Sequence, residues 1–267
     1  MHPSLINPAV VGYICAMGLA LAYLVQRHEL VHRLSVLATL AAWAVHTVAL
    51  IVRAVELGAP PLGSLLDAIS VAVWVIVLVE VMIEQRSGLR VLSAFVLPIV
   101  VLLSLKTTTS RPANLAPVLA SAWIWIHIAL AMVGFAAFVF NFVGAIMYLL
   151  QERQLKGKRP GAFYYRLPAL ETLDRLTFRT LALGFPFLTV GLLLGAIWAR
   201  TAWGSALTFD PLAFFSLVAW IIYAGTLAGR AAAGWHGRRA AYFAIVGFAA
   251  LVLTLGAGLF LPGRHGS

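Results

Sequence analysis

The sequence predicts an all-α membrane protein, a bundle of about eight transmembrane helices with both termini on the outer (periplasmic) side. Three observations carry that prediction. Of the 267 residues, 62% are hydrophobic and only 10% are charged, where a water-soluble domain carries roughly a quarter charged residues. The apolar residues gather into runs of the length that a bilayer requires, about 20 residues. The basic residues fall between those runs, and mostly in alternate connections. Length alone suggests one or two domains; the composition favours a single integral membrane domain over residues 1–267.

Eight runs qualify in order. The first, Ala9–Gln26, has no Lys or Arg before it, so it reads as a retained helix rather than a cleaved signal. Leu34–Val52 and Asp67–Ile83 follow, then Val91–Leu105, which is short and contains Pro98, so a tilt, a kink or a partly re-entrant path is expected there. Ser121–Gln151 is longer than a bilayer needs and should extend as a helix into water. Leu181–Ala199, Pro211–Gly229 and Ala240–Leu261 complete the set. A basic connection at about 152–180, expected to be cytoplasmic, is the largest of the loops.

Alternate connections lie on opposite sides of a bilayer, so the basic residues sort by side. Arg27, Arg33, Arg86, Arg90, Arg153, Lys156, Lys158, Arg159, Arg166, Arg175, Arg179, Arg230, Arg238 and Arg239, fourteen in all, fall on one side. Five, Arg53, Lys106, Arg111, Arg200 and Arg264, fall on the other. Enrichment of Lys and Arg marks the cytoplasmic side, which places both termini outside, as for a multi-pass protein of a bacterial inner membrane. The same split accounts for the net charge of +10 without nucleic acid. The basic loop is also of a kind that meets anionic lipid headgroups. A lone cysteine, Cys15, excludes an internal disulfide and any CxxC or CxxCH motif, and with them a dithiol oxidoreductase or a c-type cytochrome.

No extramembrane segment is long enough to hold an active site of its own, so chemistry belongs at a membrane face or inside the bundle. Seven histidines are present. His28, His32 and His236 lie in basic inner connections, where a solvated or lipid-facing role is expected, and His2 lies at the terminus. His127 is six residues into a helix that starts outside, roughly 9 Å down, and His46 lies seven residues before Arg53, at roughly 10 Å. His265 follows the last run on the same outer side. Ionisable groups inside a span are candidate functional residues; the bland alternative for each is a hydrogen bond to a neighbouring helix.

Aromatic residues surround them. Trp123 and Trp125 precede His127 in Ser121-Ala-Trp-Ile-Trp-Ile-His127-Ile, and Trp198, Trp203, Gly204 and Phe209 lead to Asp210-Pro211. Interfacial tryptophans are common in membrane proteins, and Asp210 can simply cap the next helix with Pro211 at its first position. Imidazoles beside a flat aromatic platform nevertheless suit haem, with two axial nitrogens for the iron. Zinc would want a tighter ligand set, and no acid on the outer side is close in sequence to a histidine. Glu80 is the acid deep in a span, near the inner face, and no chain of acids crosses the bilayer. The spacings Gly191/Gly195 and Gly225/Gly229 read as helix-packing surfaces.

Gly184-Phe185, Leu188-Thr189, Gly195-Ala-Ile-Trp198, Trp203-Gly204-Ser205, Asp210-Pro211, Trp220, Arg230 and Gly234-Trp-His-Gly-Arg-Arg-Ala-Ala241 stand in a specific order. With Trp125-Ile-His127, Gly58–Leu65, and His46 with Arg53, this order resembles the cytochrome c assembly (CcsA/HemX-like) family of membrane proteins. The resemblance implies haem handling through an outer aromatic (WWD) loop, with His127 and His265 as axial metal ligands. Trp203, Gly204, Phe209 and Asp210 would form the platform, with His46 and Trp125 in support. Its implied partners are haem, the lipid bilayer, and a second cytochrome c assembly subunit or a haem-biosynthesis enzyme.

The pattern departs from the family at several positions. Ala228 stands where an intramembrane histidine is implied, Leu207 and Phe209 stand for tryptophans, and Ala59 stands for a histidine. Such gaps resemble the HemX and YpjD branch, which implies an alternative: a membrane regulator of glutamyl-tRNA reductase level acting through the basic loop. In neither reading do the residues point to bond-making chemistry.

Overall fold

A computed structural model describes residues 3–62, 64–107, 122–157, 165–203 and 211–260. Among the described residues the chain forms eight α-helices: α1 (Pro3–Gln26), α2 (Glu29–Leu57), α3 (Leu65–Ser87), α4 (Ser93–Thr107), α5 (Ala122–Lys156), α6 (Leu170–Trp203), α7 (Pro211–Ala232) and α8 (Arg238–Phe260). All but α4 are long and apolar enough to cross a membrane. With 15 residues, α4 reaches about 22 Å, short of the roughly 30 Å hydrocarbon core. The all-α membrane bundle expected from composition is the observed architecture.

The surface is that of a protein solvated by lipid. Val11, Val25, Leu37, Val55, Leu193, Ile197, Phe214 and Val246 are each more than half exposed. Burying one such side chain is worth about 1.5–3 kcal/mol in water, a gain a soluble fold would not forgo at every turn. In hydrocarbon there is nothing to gain.

The contacts divide the chain into two compact units, residues 1–119 and 120–267. In the first, α1 pairs with α2, and α4 packs on α1 and α3. The α2 C-terminus closes on Gly58, whose φ of 59° is left-handed and whose N–H meets the last turn. Ser64 caps α3 by accepting from the Asp67 N–H at 3.1 Å. In the second unit α5 lies along α6, and α8 packs on both α5 and α7. Phe138 of α5 stacks on Tyr223 of α7 at 3.8 Å between ring centres, and an added Cβ at Gly247 of α8 would stand 2.7 Å from the Tyr223 ring.

Helix ends differ from expectation where polar residues continue an apolar run. At one end α2 starts at Glu29 rather than Leu34, and at the other it passes Arg53. α6 starts at Leu170 rather than Leu181, so most of the expected basic loop is helical. It ends at Trp203, so Arg200 and Trp203 are helical rather than in a connection. α5 extends to Lys156 as one 35-residue helix, as its length predicted.

Candidate functional site

In α5 the first turns are built of Ala, Trp and Ile, apolar residues that hold a helix by packing rather than propensity. They carry Trp125 and His127 toward the membrane face where α5 begins and α6 ends. His127 is half-buried against α6, and its Nδ1 donates to the Gly191 carbonyl at 2.6 Å. A carbonyl can only accept, so Nδ1 bears a hydrogen, as it does in histidines that ligate a metal through Nε2. One turn further along α6, Gly195 backs the ring: a Cβ there would sit 2.8 Å from His127 Cε1. The two glycines thus do different things, one supplying an acceptor and the other a gap. Trp125 Nε1 is buried and has no hydrogen-bond partner among the described residues. An orphaned buried donor costs about 1–3 kcal/mol, which a bound acceptor would recover.

Of the other expected site residues, Gly204, Phe209, Asp210 and His265 lie outside the described residues, and Trp203 is described only as the last residue of α6. His46 is described fully. It is 3% exposed, with Tyr13 Oη 3.1 Å from Nδ1 and Ser70 Oγ 2.9 Å from Nε2. Both ring nitrogens have hydroxyl partners, and the imidazole joins α1, α2 and α3. Among the described residues no three His, Cys, Asp or Glu side chains gather to hold a metal ion.

Several polar contacts escaped the sequence reading. Arg53, expected in an outer connection, is 3% exposed; its Nε and Nη2 donate to Asp67 Oδ1 and Oδ2 at 3.2 and 3.1 Å. Ser64-x-x-Asp67 has the spacing of a capping box before an apolar run and could have revealed the helix start. His32, expected to be solvated, lies 3.3 Å from Glu84 and packs on the Tyr23 ring. In the second unit Asp174 accepts from Arg230 Nη2 at 2.7 Å and from the Gly237 N–H at 2.9 Å. The Gly234-Trp-His-Gly-Arg-Arg string is therefore a turn, with left-handed glycines at 234 and 237 (φ 61° and 63°), clasped onto α6. Of the small-residue pairs, Gly229 backs the Trp235 ring, whereas Gly225 faces open space.

Comparison with known proteins addresses the whole chain. A family model described as Cytochrome C assembly protein matches residues 62–263. A protein named cytochrome c biogenesis protein CcsA from Guillardia theta is 30% identical over 241 residues, covering 82% of this chain and 80% of the relative. Its namesake from Microcystis aeruginosa is 30% identical, with 80% of each chain covered. That from Pyropia yezoensis is 28% identical over 99% of this chain and 97% of its own.

Proposed function

The chain belongs to the cytochrome c assembly protein family, and on that footing we propose that it is a multi-pass membrane protein that holds haem and presents it at the outer membrane face. Haem is cargo in this reading, and its iron offers two axial positions to the protein. His127 supplies one ligand through Nε2, with Gly191 holding the ring's proton on the opposite nitrogen. His265 supplies the other. Trp203, Gly204, Phe209 and Asp210 provide the platform, and the Trp125 N–H is a donor suited to a carboxylate of the cargo. His46, with hydroxyls at both nitrogens, braces the first unit and takes no part in ligation.

The observation that carries the reading is the hydrogen bond from His127 Nδ1 to the Gly191 carbonyl at 2.6 Å, which orients the ring. The regulatory alternative gains nothing from the relatives, whose printed names concern cytochrome c biogenesis. The test is spectroscopic. Purified wild-type protein with added hemin is expected to show a Soret band, and His127→Ala with His265→Ala together are expected to abolish it. An unchanged band in the double variant overturns the ligand assignment.

A further inference from the structure

At the far end of the first unit, α1 and α3 finish and α2 and α4 begin. Four polar side chains meet there beneath apolar helices. Ser93 Oγ of α4 hydrogen-bonds Glu80 Oε1 of α3 and lies 2.8 Å from Glu84 Oε2, one turn further on. Glu84 Oε1 in turn lies 3.3 Å from His32 Nε2 of α2, close to it but without a hydrogen bond between them, so that Glu84 Oε1 is buried and without a hydrogen-bond partner among the described residues. Glu80 is 1% exposed, and its Oε2 is buried with no hydrogen-bond partner among the described residues. Beside the cluster is a cavity of about 300 Å³, whose lining includes His32, Thr39, Glu80, Glu84, Gln85 and Arg90. That is room enough for water.

Hydrogen stoichiometry decides what this cluster holds. A serine hydroxyl carries one hydrogen and an ionised carboxylate carries none. Ser93 can donate to only one of its two carboxyl neighbours, and the other contact requires a hydrogen from the carboxyl itself. Among the described residues the guanidinium that lines the same cavity, that of Arg90, is turned to other partners. Arg90 is engaged by Glu29 at 2.7 Å, and its bonds to Tyr23 and Glu29 hold its guanidinium above its ordinary pKa. From α1, Tyr13 stands near enough to feel the charge of Glu80; from α2, His32 meets Glu84, and α4 contributes the uncharged Ser93. Nor is a metal ion favoured, because these side chains do not form a three-ligand group.

We propose that Glu80, Ser93, Glu84 and His32 form a proton-exchange site, in which one proton is shared by the two carboxyls and traded with water in the cavity through His32. On uptake, a hydronium ion in the cavity protonates His32 at Nδ1 and leaves water. The ring then turns its Nε2–H onto Glu84 Oε1, 3.3 Å away, and passes that proton to it. The carboxyl then turns to donate to Ser93, whose hydroxyl donates to Glu80. Only O–H and N–H bonds are made and broken, and the cluster gains one positive charge.

Infrared difference spectroscopy of the full-length protein tests this without reference to haem. Wild type at neutral pH is expected to show a protonated-carboxyl C=O band that shifts promptly in D₂O. Glu80→Gln is expected to remove it, because the Gln amide donates to Ser93 in place of the carboxyl and the remaining acid ionises. Glu84→Gln should do the same, which keeps the test available if one variant fails to accumulate. His32→Phe should keep the band but slow its exchange at least tenfold. A wild-type spectrum without the band, or a band indifferent to both Gln variants, overturns the proposal. An exchange rate indifferent to His32→Phe overturns the route.

Discussion

Glycine at 195 acts at the scale of one residue, through the side chain it lacks. Its hydrogen leaves room for the His127 ring, and a methyl in that place would stand 2.8 Å from Cε1, closer than real side chains approach, and a tight 3.1 Å from Nδ1. Gly195→Ala should therefore push the imidazole off the Gly191 carbonyl and lower hemin affinity at least tenfold in a spectral titration. Gly225→Ala on α7, where an added Cβ meets nothing within 4 Å, should leave it unchanged. Helix propensity favours Ala over Gly by about 1 kcal/mol at either site, so stability alone predicts the opposite ranking for Gly195. His127 was legible as a candidate because an ionisable residue in an apolar run has few innocent explanations. Its partner was not, because a backbone carbonyl on another helix leaves no mark in residue identities.

Helices were legible because their apolar stretches are long; their ends were not, because polar residues extended them. Arg53 and Asp67 are charges that look like loop markers in a string, yet each neutralises the other inside the unit, at 3% and 0% exposure. Asp174, partly exposed on α6, also serves two donors. It gathers the Arg230 guanidinium and the Gly237 N–H, so one carboxylate ties the start of α6 to the α7–α8 turn. This pair is partly buried, with 20% of the Asp174 side chain exposed, and hydrogen bonds to a charged group are worth about 1.5–3 kcal/mol. Asp174→Ala should destabilise the second unit by that order, read as a lowered midpoint in thermal unfolding of the detergent-solubilised protein. Asp174→Asn should recover part of the loss, since the amide oxygen still accepts from one donor.

Across the whole molecule, composition specified the solvent and charge distribution the expected orientation. Fourteen basic residues against five predict that the α5–α6 connection faces the cytoplasm and the α2–α3 connection faces outward. In a Cys15→Ser background, Gly157→Cys and Pro60→Cys should therefore react with a membrane-impermeant maleimide from opposite sides, Pro60→Cys alone being labelled in sealed cells. Labelling of Gly157→Cys in sealed cells would reverse the topology. Helix α5 then has a mechanical meaning. Its 35 residues contain no proline, so His127 near one end and Lys156 at the other belong to one unbroken rod, about 44 Å apart at 1.5 Å per residue. A rod rocks as a whole: a tilt of about five degrees around its middle swings each end by about 2 Å. That is enough to part the imidazole from its carbonyl. Whatever grips the water-exposed end of α5 holds the handle of a lever whose other arm carries His127.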